Sequence, residues 1–147
     1  MTLGKILLFG FLGLLAIWLV LTGPGMVEAI RQKRAVEESF GKFVSRLEEK
    51  NFETAYRLCS VEFQEATPYD EFVRQQHKLE RAYGPLQSSE IDGFELEGVG
   101  TPATWTAVIR AEMKFQRKNV TFTYELHNVS AEWRVFGYKE DEEARGK

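Results

Sequence analysis

The sequence holds one cysteine, Cys59, among 147 residues. A single thiol excludes an intramolecular disulfide and a cysteine-rich metal site, and it leaves the redox compartment open. Histidine is nearly as scarce: His77 and His127 are the two in the chain and lie far apart, so no pair stands at metal-ligand spacing. There is no basic excess either. Lys and Arg number 19 against 22 Asp and Glu, a net charge of −3, which gives nucleic-acid binding no electrostatic support. No motif for a catalytic nucleophile, a phosphate loop or a cofactor is present, so no cofactor is expected. Proline is limited to four positions, Pro24, Pro68, Pro85 and Pro102, and each reads as punctuation between segments.

What is there first is a run without charge. Residues 6–27 lie between Lys5 and Glu28 and contain no ionisable side chain. A helix rising ~1.5 Å per residue crosses the ~30 Å hydrocarbon layer in about 20 residues. Residues 1–27 are therefore expected to form a transmembrane anchor. The run exceeds the apolar core of a cleaved signal peptide, about 7–15 residues, which favours retention. Val27-Glu28-Ala29 offers a small-x-small cut, but inside what reads as the next helix. A literal count of basic residues, Lys5 before the run and Arg31, Lys33 and Arg34 after it, points the domain to the cytoplasm. Interleaved Glu28, Glu37 and Glu38 weaken that rule. The expectation carried forward is a single-pass membrane protein with its folded domain on the extracytoplasmic side, residues 28–138, and a charged, frayed tail, residues 139–147.

The domain opens with helical periodicity. Gly23-Pro24-Gly25 should break or kink the backbone, after which Ile30, Val36, Phe40, Phe43, Val44 and Leu47 recur at three- and four-residue steps over residues 27–50. Mixed charges on the opposite face make this a core-facing helix. Asn51 should cap a second helix with Phe52, Ala55, Tyr56, Cys59 and Phe63 on its buried side. Cys59 reads there as a small buried side chain. Thr67 as cap and Pro68 at the first position start a third helix to Tyr83, with Phe72, Val73, Gln76, Leu79 and Tyr83 inward. Gly84 suits a left-handed stop.

From Leu86 the period becomes two. Gly93 suggests a bulge in a first strand, and residues 98–102 a turn. Along residues 103–115, Ala103, Trp105, Ala107, Ile109, Ala111, Met113 and Phe115 share one face. Val120, Phe122, Tyr124 and Leu126 continue it. With Arg117-Lys118 as the loop, Phe115 opposes Val120 and Arg110 opposes Glu125. A last strand carries Trp133 and Val135 on one face, Phe136 and Tyr138 on the other. The expected class is α+β: an N-terminal transmembrane helix, then three helices on a curved antiparallel sheet of about four strands.

The order of core residues sharpens this. Phe40-x-x-Phe43-Val44-x-x-Leu47 leads to Asn51-Phe52-x-x-Ala55-Tyr56-x-Leu58-Cys59-Ser60-x-x-Phe63, then Phe72, Tyr83-Gly84-Pro85-Leu86 and Trp133-Arg134-Val135-x-Gly137-Tyr138. Over residues 36–138 this resembles the nuclear transport factor two-like, or cystatin-like cone, superfamily, in particular its small membrane-tethered or exported bacterial members. The resemblance implies a sheet wrapped around helices with a pocket between them. Enzymes of that superfamily, ketosteroid isomerase and scytalone dehydratase among them, place acids, Tyr or His inside the cone. In this sequence Trp105, Ile109, Met113 and Phe122 point inward, with Tyr56 and Tyr124 as the polar members of the expected pocket lining. Glu112 and Glu125 fall outside by strand parity, so a general base is lacking there and catalysis is disfavoured.

The function expected is a membrane-anchored, non-catalytic binding or scaffold domain that docks to protein partners or to itself. Thr106, Arg110, Glu112, Thr123 and Glu125 on the outer sheet face form the candidate partner surface. The alternative is a domain that binds a small apolar ligand in its pocket, or an enzyme of the ketosteroid isomerase type.

Overall fold

The computed structural model describes residues 3–100 and 103–142, with side chains from residue 25 onward. The elements are α1 (Leu3–Glu48), α2 (Phe52–Arg57), α3 (Val61–Ala66), α4 (Tyr69–Tyr83), β1 (Leu86–Val99), β2 (Thr104–Phe115), β3 (Asn119–Val129) and β4 (Glu132–Glu140). The class is α+β, with one antiparallel sheet in the order β1-β2-β3-β4. The chain divides into two units, Met1–Arg34 and Ala35–Lys147.

The first unit corrects the anchor expectation. Among the described residues no helix is long and apolar enough to cross a membrane. The single-pass, extracytoplasmic placement loses its support with it. Side chains of residues 6–24 lie outside those described. From Gly25 onward α1 carries the charged residues Glu28, Arg31, Lys33 and Arg34, with Arg31 paired to Glu28. α1 also runs through Gly23-Pro24-Gly25 without ending there, so the chain does not break at that point. Ile30, expected inward, is 57% exposed.

In the second unit α1 ends where Lys50 takes a left-handed conformation, φ 57°. The Lys50 N–H reaches the Leu47 carbonyl at 3.0 Å and the Asn51 N–H the Arg46 carbonyl at 2.9 Å. That double return is the Schellman stop, here built on a lysine instead of glycine. Asn51 then caps α2, its side chain accepting from Thr54 N–H. The second helix is shorter than its periodicity suggests. Residues 58–60 leave the helix and pair with β4: Ser60 N–H donates to the Val135 carbonyl at 2.8 Å, and Val135 N–H to that of Leu58 at 3.1 Å. Ser60 Oγ then caps α3, accepting from Phe63 N–H at 3.1 Å. Thr67 closes α3 and does not cap α4, whose N-cap is Pro68 without a side-chain bond.

The sheet supplies the other half of the core. Ala107, Ile109, Ala111, Met113 and Phe115 of β2 and Val120, Phe122, Tyr124 and Leu126 of β3 are buried against Val36, Phe40, Phe43, Val44, Leu47 and Phe72. Burying each large apolar side chain contributes about 1.5–3 kcal/mol. The expected strand phase is therefore present, but the pairing differs. Met113 opposes Val120 and Arg110 opposes Thr123, a two-residue slip from the expected register. The cause is a longer loop, closed by Phe115 N–H on the Lys118 carbonyl at 3.0 Å. An even slip leaves every side chain on its expected face. The Arg110–Glu125 pair does not form; Arg110 Nε instead reaches Asp141 at 3.2 Å.

Irregularities curve the sheet. Register shifts fall between Leu86 and Ser88, between Ile91 and Gly93, and between Glu125 and Leu126. At the last, Glu125 pairs with Gly137 and Leu126 with Val135, so Phe136 is the extra residue. This bulge turns Tyr138 to the inner face, against Tyr124 at 5.6 Å between ring centroids. The expectation that Tyr138 shares a face with Phe136, opposite Trp133 and Val135, is corrected accordingly. The charged tail is also less free than expected: Lys139 and Glu140 belong to β4, and Asp141 N–H donates to the Thr121 carbonyl at 2.9 Å. Residues 143–147 lie outside those described.

Candidate functional site

Where α1 ends, α4 ends and the β2–β3 hairpin turns, the second unit has a hollow. Phe43, Leu47 and Glu48 of α1, then Lys50 and Phe52, bound one side; Gln76, Leu79 and Glu80 of α4 with Pro85 and Leu86 bound another; Met113, Phe115, Phe122, Tyr124 and Tyr138 of the sheet form the floor. Its free interior is about 40 Å³, and with the open mouth it measures about 540 Å³. Room of about 10–15 Å³ is enough to admit a water, so the inner part has space for at least one, and most of the volume is at the mouth.

The rim is held by local chemistry. Gly84 has φ 84° and a Cβ there would sit 2.8 Å from that of Gln116. The hairpin leans on this point, with Gln116 N–H on the Pro85 carbonyl at 3.0 Å and Arg117 N–H on that of Tyr83 at 2.8 Å. Lys50 Nζ crosses the mouth to Glu80 Oε1 at 2.6 Å. That hydrogen bond, with the ammonium charge, holds the Glu80 carboxyl below its usual range against some desolvation. Glu48 has no hydrogen bond or ion pair among the described residues. Partial burial, then the neighbouring Glu49 charge, raises its pKa.

Two tyrosines lie on the floor and differ in one respect. Tyr138 Oη donates to Gln75 Oε1 at 3.0 Å and accepts from Gln76 Nε2 at 3.1 Å. Tyr124 is 3% exposed and enclosed by Phe40 and Phe43, with ring centroids at 4.9 and 6.0 Å. Its hydroxyl has no partner among the described residues, yet no polar side-chain atom is sealed away unsatisfied. The hydroxyl is therefore not sealed off, and Tyr124 is one of the residues that line the hollow. Burial drives both phenols above the usual tyrosine range.

Of the expected lining residues, Met113, Phe122 and Tyr124 meet here, while Tyr56, Trp105 and Ile109 do not. Tyr56 Oη is spent on the Gln64 and Thr67 carbonyls, at 3.0 and 2.8 Å, where it ties α3 to the start of α4. Trp105 covers Gly98, whose added Cβ would fall 2.9 Å from the ring. Ile109 is wholly buried in the core. Tyr138, Glu48 and Lys50 were not expected at the pocket, and Gln76 was expected inward on its helix but not as a lining residue. Only Gly137, a residue that permits a bend beside Phe136, is a local sign of the first.

The candidate partner face is real as a surface but is largely engaged with itself. Thr123 Oγ1 donates to Asp141 Oδ1 at 2.6 Å, beside the Arg110–Asp141 pair. Asn119 donates to Glu112 at 3.2 Å, and Glu125 meets His127 at 2.6 Å. Thr106 is half-buried opposite His127. His127 in turn stacks on the bulged Phe136 at 4.0 Å. Cys59 is buried, its thiol pushed up to about 12 by burial against the opposing pull of Arg134. No group of three or more His, Cys, Asp or Glu among the described residues could hold a metal ion. No protein-family model matches the chain, and no curated protein matches it.

Proposed function

We propose that the second unit is a non-catalytic binding domain that takes a small, largely apolar ligand in the hollow. The observation that carries the reading is Tyr124, a buried side chain lining that space whose hydroxyl has no partner among the described residues. An unpaired buried hydroxyl costs about 1–3 kcal/mol, a penalty a ligand acceptor or donor would remove. An apolar lining with few convergent polar groups is the usual make-up of a ligand site. The order of helices followed by a curved four-stranded sheet also supports assigning the domain to the cone superfamily it resembles. Partner docking through the outer sheet face has less behind it, because Arg110, Glu112, Thr123 and Glu125 already engage neighbours.

The test is an NMR titration of the full chain with benzyl alcohol, read at the Met113 methyl and the Phe122 and Tyr124 amides. Saturable shifts at about millimolar affinity are expected for so few atoms. Leu79→Trp, which fills the mouth, should abolish them while the protein stays folded. Absence of saturable shifts at these three residues would overturn the reading.

A further inference from the structure

The hollow is ringed by more negative charge than positive, and its walls are aromatic. Six lining residues are aromatic: Phe43, Phe52, Phe115, Phe122, Tyr124 and Tyr138. Glu48, Lys50 and Glu80 are the ionisable groups at its rim. The Lys50 ammonium is committed to Glu80 at 2.6 Å, which leaves the Glu48 carboxylate as the uncompensated charge. Other basic groups lie off the hollow. Arg81 and Arg117 line an adjoining groove, and the Arg117 guanidinium is held on the Arg81 carbonyl at 2.7 Å. An anionic ligand would therefore meet an unpaired carboxylate and an occupied lysine.

We infer that the ligand is an organic cation, an apolar body bearing a protonated amine, with the ammonium at Glu48 and the body among the aromatic rings. This rests on the hollow being a ligand site at all. The chemistry is complementary at both ends. Glu48 is partly desolvated without a counter-charge, a state that a bound cation relieves. Aromatic faces attract a cation through their quadrupole, and an apolar ring packs against the same surfaces. The Tyr124 hydroxyl, at the floor, accepts or donates to a polar substituent on the inner end of the molecule.

Three probes of one shape test the charge: benzylamine, benzyl alcohol and phenylacetate, each titrated into the full chain and read at Met113, Phe122 and Tyr124. Benzylamine should bind about three- to ten-fold more tightly than benzyl alcohol, and phenylacetate most weakly. Glu48→Gln should bring benzylamine to the affinity of benzyl alcohol, while the alcohol, which carries no charge for Glu48 to hold, should change far less. Added salt should narrow the gap in the unaltered protein. If benzyl alcohol binds but benzylamine gains nothing, or the gain survives Glu48→Gln, the cation assignment is overturned while the site stands. If none of the three binds, site and assignment fail together.

Discussion

Tyr124 and Tyr138 occupy one cluster, with centroids 5.6 Å apart, yet removing their hydroxyls should move stability in opposite directions. Tyr138→Phe breaks two hydrogen bonds, with Gln75 and Gln76, and leaves both amides short of a partner. A neutral hydrogen bond contributes about 0.5–1.5 kcal/mol, so the loss should be about 1–2 kcal/mol once half-buried amides re-solvate. Tyr124→Phe removes a hydroxyl that has no partner on a side chain 3% exposed. Ring contacts with Phe40 and Phe43 are kept. The desolvation cost of about 1–3 kcal/mol is recovered, less what water at the mouth already supplies, for a net gain of about 0.5–2 kcal/mol. Urea unfolding of the two variants, fitted with a common m-value, measures both signs. A thermal scan should separate their midpoints by several degrees, at about 3–6 °C per kcal/mol for a domain of this size. A loss of more than about 1 kcal/mol in Tyr124→Phe would mean that the hydroxyl is satisfied in the folded protein. The candidate site would then lose its polar anchor.

Two further outcomes test the frame around the site. Gly84→Ala should cost about 2–4 kcal/mol by urea unfolding, from a φ of 84° and a Cβ overlap with Gln116. Gln116→Gly in the same chain should return only the overlap part, and full recovery would refute the backbone share. Cys59 bears on pH. Its thiol titrates at about 12 when folded, above the usual range, so the folded state holds the proton that the unfolded state releases from about pH 9. The stability this carries is fully present below about pH 8.5 and falls by up to about 1.4 kcal/mol per pH unit above 9. Cys59→Ala should flatten the slope between about pH 9 and 10; an unchanged slope would put the titration elsewhere.

The faces of the strands were legible because a period of two survives most errors. Assigning Arg117-Lys118 as the whole loop misplaced the β2–β3 pairing by two residues, and still Met113, Phe122, Tyr124 and Leu126 point at the helices. The stop before Asn51 was legible for a similar reason, since an amide side chain there can cap the next helix whatever precedes it. The break between α2 and α3 was not. Apolar spacing runs smoothly from Phe52 to Phe63, and only the pairing of residues 58–60 with β4 takes them out of the helix. That contact is distant in sequence and has no local signature beyond Ser60 as a cap. The anchor expectation failed differently: hydropathy over residues 6–27 sets a length, and length alone does not establish a span.

The site itself was the least legible part, and the reason is specific. Its floor depends on one extra residue. Without the bulge at Phe136, Tyr138 would share the outer face with Phe136, and the hollow would lose the tyrosine whose hydroxyl reaches Gln75 and Gln76. Its mouth depends on Lys50 adopting a left-handed backbone that glycine would adopt at less cost. That conformation starts the side chain that ends on Glu80. Its charge depends on Glu48 lacking a partner, which no spacing rule reveals because Lys42 and Arg46, the nearby bases, already pair with Glu38 and Glu49. A strained lysine, an unpaired carboxylate and an unpartnered hydroxyl are each a local cost, and all three border the same space. Costs of this kind persist where the surrounding packing over-determines them, and their concentration is an argument for use. On the outer sheet face, by contrast, Arg110 pairs with Asp141 and Glu125 with His127, and no such concentration appears there.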